Sequence, residues 1–174
     1  MCWRANLAFA GSKRATKLRG GQALGTDIYG WIELYTPEIY PGCPRRWTAV
    51  VKIDEIVARN YGMFGSLFGA RNDYGFRPIA PARGIPDDVS AELQEYSDVP
   101  PDPGPWPPSW ITWREISERD WDEFGAYPAP GRDASVPARR KDVLSPDWQT
   151  ALDVMEVLAR QFGADDVRMV VWFD

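Results

Sequence analysis

The chain has 174 residues, with 20 Lys and Arg against 25 Asp and Glu, no His, two Cys, nine Trp and 16 Pro. One domain of this length buries about two-thirds of its unfolded surface without disulfide help. The absence of His excludes Ser-His-Asp and Cys-His catalysis, His-built zinc sites and a His-based pH switch; two Cys make neither a four-thiolate site nor a disulfide framework, and no apolar run approaches a membrane span.

The charge is unevenly placed. Residues 1–24 hold Arg4, Lys13, Arg14, Lys17 and Arg19 and no acid, so the rest carries 15 basic against 25 acidic side chains. That body repels phosphate backbones, which speaks against non-specific nucleic-acid binding. The leader has its apolar run before its basic cluster, the wrong order for a secretory signal, and reads as a structureless tail. With no membrane partner expected, the reading is cytoplasmic.

Order begins near Thr26. From Asp27 to Tyr35 the chain alternates, with Ile28, Ile32 and Leu34 on one side and Asp27, Tyr29, Trp31, Glu33 and Tyr35 on the other, as in a strand with one core face. The second set reads as a solvated acidic and aromatic face, or as a site. A Pro- and Gly-containing turn over 36–46 leads to a second strand, Trp47–Ile53, and so to an antiparallel hairpin with a long loop. Tyr61, Phe64, Leu67 and Phe68 then fall at helical spacing. Gly62, Gly65 and Gly69 would each cost an exposed helix about 1 kcal/mol relative to Ala, so their presence implies another backbone packed closely against it.

Asp87, Asp88 and Ser90 supply side-chain oxygens to cap a short helix ending near Tyr96. Six prolines within 100–108 make an extended connector. Trp110-Ile111 reads as a short strand, and Thr112 with Glu115 as a capping box opening a helix to about Asp120. Residues 125–141 read as a loop. Ser145 caps a helix with Pro146 at its first position, a buried stripe of Trp148, Leu152, Met155, Ala159 and Phe162, and Gly163 at its end. Val167–Phe173 is apolar enough for the interior of a sheet. The expected fold class is α+β: a single domain over 25–174 with a small, mainly antiparallel sheet and helices packed on one face.

Four groupings carry candidate chemistry. Asp27 and Glu33 share a strand face but stand about 20 Å apart at roughly 3.3 Å per residue, too far to share a metal. Asp87 and Asp88 could join Asp27 in holding Mg²⁺, although helix capping is the commoner role for such a pair. Asn60, Tyr61, Arg71, Asn72 and Arg83 flank a glycine-rich helix: Arg grips carboxylate or phosphate bidentately and Asn reads amide or base edges. Trp106, Trp110, Trp113 and Trp121 suggest a stacking wall or contact patch. Cys43, with Arg45 and Arg46 behind it, is a thiol with a basic neighbourhood.

Several segments, in order along the chain, resemble a family of small uncharacterised proteins of tailed phages and phage-derived bacterial genes. They are Thr26–Glu33, Arg59-Asn60-Tyr61 with Phe64, Leu67–Asn72, Pro81–Ser90, Ser109–Glu115 and Val167–Asp174. The resemblance implies a shared fold and a body starting near the Asp-Ile segment; it brings no activity with it. The family often has His where this chain has Tyr29, and His-Ser just before the segment matching Ser109-Trp110, so any His-dependent chemistry of relatives is missing here.

The leading expectation is a non-enzymatic binding protein without a cofactor, able to form a homo-oligomer. It would sequester a small anionic, nucleotide-like ligand or block a host protein. Arg71 and Arg83 would neutralise charge, Tyr29, Trp31 and Tyr61 would stack, and Asn60 and Asn72 would supply hydrogen bonds. The alternatives are a Mg²⁺-assisted phosphoester hydrolase using Asp27, Asp87 and Asp88, and a protein-interaction module built on the Pro/Trp segment.

Overall fold

A computed structural model describes residues 25–36, 46–97, 105–128 and 137–174. The basic leader, the loop that contains Cys43, most of the Pro-rich connector and residues 129–136 lie outside the described residues. The fold is α+β. Strands β1 (Ile28–Thr36) and β2 (Arg46–Lys52) are followed by helices α1 (Tyr61–Phe68) and α2 (Ala91–Ser97), strand β3 (Ser109–Thr112) and helix α3 (Trp113–Ser117). Strands β4 (Phe124–Pro128) and β5 (Pro137–Arg139), helix α4 (Pro146–Phe162) and strand β6 (Val167–Phe173) complete the order. The main sheet runs β2-β1-β6-β3 with every neighbour antiparallel, and β4 and β5 form a separate ribbon.

The alternation of β1 does place Ile28, Ile32 and Leu34 in the core, where they meet Val167, Met169, Val171 and Phe173 of β6. Helices α1 and α4 cover that face with Met63, Phe64, Leu67, Trp148, Leu152 and Met155, and α3 adds Ile116. One contiguous core thus draws on residues from Ile28 to Phe173. Not every helix lies there. The turn that leads into α2 is held against the opposite face, where the backbone N–H of Ser90 donates to Glu33.

Helix α1 is apolar nearly all round because it is buried nearly all round. Asn60 caps its start, its Oδ1 accepting from the Met63 N–H, and Gly69 ends it in the left-handed region at φ 81°. A Cβ at Gly65 would stand 2.8 Å from the Asn72 Cα, so the glycine is what lets the following loop lie against the helix. The Thr112–Glu115 capping box is present, but α3 closes after five residues, at Ser117. Ser145 occupies the N-cap of α4 without capping it through its side chain. Its Oγ instead accepts from the Asn60 amide, and the Asp147 carboxylate reaches back to the Ala58 N–H.

Candidate functional site

The seven residues expected to bind a ligand are divided among three settings. Asn60, Asn72 and Arg83 are engaged within the fold. The Asn60 amide donates to the Val143 carbonyl and to Ser145 while its oxygen caps α1. Asn72 exchanges two hydrogen bonds with the Phe76 backbone, which closes the loop after α1. Arg83 forks onto both oxygens of Glu115 at 2.6 and 2.9 Å and lies over the Trp110 ring, tying the 79–84 segment to the outer edge of β3. Burial alone would raise the Glu115 carboxyl, but Arg83 and the Thr112 backbone hold it below the usual carboxylate range.

Tyr61 and Arg71 do come together, around the start of β1. The Thr26 N–H donates to the Tyr61 hydroxyl, Arg71 Nε donates to Thr26 Oγ1, and the Arg71 guanidinium lies 5.5 Å from the Tyr61 ring centre. Arg59 completes the grouping. It pairs with Asp27 at 2.6 Å and fills the space where a side chain on Gly25 would stand. Two guanidinium groups and a phenol therefore clamp Gly25-Thr26-Asp27, and Asp27 is the anion that Arg59 holds.

Tyr29 and Trp31 lie on the face of the sheet away from the core. Strand register sets their neighbours in rows: Tyr29 beside Trp172, then Lys52, Trp31, Val170 and Trp110 across all four strands, then Ala49, Glu33, Arg168 and Thr112, then Trp47 beside Tyr35. Tyr29 and Trp172 stack at 6.3 Å with 17° between planes, and Tyr35 and Trp47 lie 5.2 Å apart. The face thus gathers four Trp and two Tyr, all half-buried, from the N-terminal hairpin, β3 and β6. Its Trp31 Nε1 is shielded and has no hydrogen-bond partner among the described residues. The Tyr29 hydroxyl donates to Asp174 at 3.1 Å. Burial, then Asp174, and then Asp27 and Asp54 push that hydroxyl up to about 12.

Two acidic expectations are corrected on this face. Glu33 is not a solvated edge: it is 0 % exposed, bonded to Arg168 Nε at 2.7 Å and to the Ser90 N–H at 2.8 Å. A buried carboxylate needs a cation and donors to remain there, and both are supplied. Nor does Asp88 act as a simple helix cap. It accepts from Arg168 at 2.8 Å and from Trp47 Nε1 at 2.9 Å, while the Arg168 guanidinium carbon sits 3.8 Å from the Trp47 ring centre. Burial opposes the Asp88 charge, but Arg168 and Trp47 outweigh it and hold the carboxyl below the usual range. The Ser90 hydroxyl, expected to cap α2, has no hydrogen-bond partner among the described residues.

Asp27 precedes the start of β1, whereas Asp88 meets Arg168 and Trp47, which register opposite Glu33 and Tyr35 further along that strand, so the two carboxylates do not share a site; Asp87 is exposed. Among the described residues, no group of three His, Cys, Asp or Glu side chains is placed to hold a metal ion. The four Trp of the 106–121 stretch also part company. Trp106, Trp113 and Trp121 pack on the core, and Trp110 lies on the outer sheet face under Arg83. Among the described residues the strongly exposed aromatics are instead Phe124 and Tyr127 of β4, at 57 % and 60 %.

Arg168 and Arg140 are the functional-looking side chains that sequence reading passed over. Arg140 is 0 % exposed and donates to the Ser66 and Arg77 carbonyls and to Glu123, pinning the ribbon to α1. It sat in an Arg-Arg-Lys run, which reads as a solvated charge patch. Among the described residues no helix is long and apolar enough to cross a membrane. Compared with protein-family models, curated proteins and solved structures, the chain matches none of them.

Proposed function

We propose that this chain is a non-enzymatic binding protein, of the phage-related kind its sequence resembles, that engages a protein partner through the outer, aromatic face of its main sheet. The observation that carries this reading is the register. It brings Tyr29, Trp31, Trp110 and Trp172 into adjacent rows on the side of the sheet that α1, α3 and α4 leave uncovered. Trp and Tyr are the side chains that dominate binding energy where two proteins meet, since each offers a large apolar area with few rotors. The small-anion version of the reading draws on Arg71, which has no carboxylate partner among the described residues. Arg71 is nonetheless occupied by Thr26 and the Tyr61 ring, and this favours the protein partner.

Native mass spectrometry of the protein isolated from its own cells tests the proposal. The wild type is expected to carry a partner chain that is lost from a folded Trp31→Ala/Trp172→Ala variant. An unchanged complex in that variant, or a wild type that carries only a small molecule, overturns it.

A further inference from the structure

We infer that the partner presents a cationic side chain, Arg or Lys, to the Tyr29–Asp174 end of this face. The inference rests on the binding reading above and deepens it. On this face the fold repeats one arrangement, an aromatic ring with a carboxylate beside it and a guanidinium over the ring. Trp47 with Asp88 and Glu33 receives Arg168 at 3.8 Å, and Trp110 with Glu115 nearby receives Arg83 at 5.0 Å. Each is a cation–π contact whose charge is balanced by a carboxylate, which is the chemistry by which proteins recognise cations.

Tyr29 with Asp174 supplies the ring and the carboxylate a third time, at the exposed end of the sheet. Here the partners of the carboxylate are neutral: the Tyr29 hydroxyl and the Asp27 N–H. Among the described residues, the nearby cations Lys52 and Arg59 pair with Asp54 and Asp27. Those two pairs balance, so the carboxylate of Asp174, met only by neutral donors among the described residues, leaves this end negative. The body as a whole has 25 acidic against 15 basic side chains. Attraction of that sign brings a basic segment in and repels an acidic one.

Calorimetric titration of the full chain with an arginine-rich hexapeptide, and with a glutamate-rich hexapeptide of the same length, tests the inference. Saturable binding of the arginine peptide alone is expected. Tyr29→Leu should weaken it about three- to thirtyfold, the range of a cation–π contact. Asp174→Asn should weaken it about threefold or more, and Asp153→Asn on α4, which removes the same charge far from this face, should leave it unchanged. Equal losses in Asp153→Asn and Asp174→Asn, binding of the glutamate peptide, or no binding of the arginine peptide overturns the inference. If the partner is still lost from Trp31→Ala/Trp172→Ala while the arginine peptide does not bind, the cation falls and the aromatic face stands. If the partner is retained, the binding reading itself falls.

Discussion

Glu33→Gln is the sharpest test of how the outer face is held together. The substitution keeps the shape of the side chain and an acceptor for the Ser90 N–H, but removes the charge opposite Arg168. Arg168, 3 % exposed, keeps Asp88 Oδ1 and the Asp88 carbonyl as partners of its guanidinium. Removing one member of a buried pair typically costs about 3–5 kcal/mol. With Asp88 retained, the lower end, about 3 kcal/mol, is expected. At a urea m-value of about 2 kcal/mol/M, the unfolding midpoint should fall by about 1.5 M. Glu33→Leu/Arg168→Met should recover only part of that loss: an apolar pair avoids the desolvation of two ions, but the Ser90 N–H is left without its acceptor. The coupling from the cycle Glu33→Gln, Arg168→Met and their double variant should be at least about 1 kcal/mol. A coupling near zero, with each single change costing less than about 0.5 kcal/mol, would refute the claim that this pair anchors the α2 turn to the sheet.

Three further outcomes follow from the same geometry. Gly65→Ala should destabilise by about 1–2 kcal/mol in chemical denaturation, because overpacking against the Asn72 backbone, at the upper end of about 1–3 kcal/mol, outweighs the roughly 1 kcal/mol gain in helix propensity. Tyr29 should ionise at about pH 12 in an ultraviolet absorbance titration, and Asp174→Asn should bring it part of the way toward 10, burial remaining. Since its folded value lies above the unfolded one, the stabilisation it brings is complete below pH 10 and disappears as pH rises through 12. Arg83→Met should cost about 1–2 kcal/mol at neutral pH. The Glu115 carboxyl is depressed in the folded chain, so its share of stability is present above the ordinary carboxylate range and lost as pH falls through the folded value. The variant should therefore show a shallower acid limb in pH-dependent urea unfolding.

The fold was legible where periodicity is local. The strict alternation of β1, the helical spacing of Tyr61, Phe64, Leu67 and Phe68, the Pro146 start and the apolar β6 each declare themselves within a window of ten or so residues. The site was less so, because its pieces are joined by register. Glu33 and Arg168 are 135 residues apart, and each looks like an ordinary solvent-facing charge of an alternating strand until β6 is laid beside β1. Tyr29 and Trp31 were readable as face residues, but Trp172 and Trp110 join them only through pairing. Asn60, Asn72 and Arg83 carry the groups that bind ligands in other settings, and those groups serve equally well to cap a helix, close a loop and tie down a strand edge. Residue type alone does not distinguish the two uses; backbone partners do.

The strand order also governs when the molecule can assemble. β1 and β3 are not paired with each other; β6 lies between them and bonds to both. A ribosome must therefore have added Phe173 before the sheet can close, and until then the nascent chain holds Ile32, Leu34 and Ile111 without their central neighbour. Such non-local closure slows folding and leaves intermediates open to aggregation or to capture by chaperones. Deleting residues 167–173 should thus leave not a smaller domain but an insoluble one.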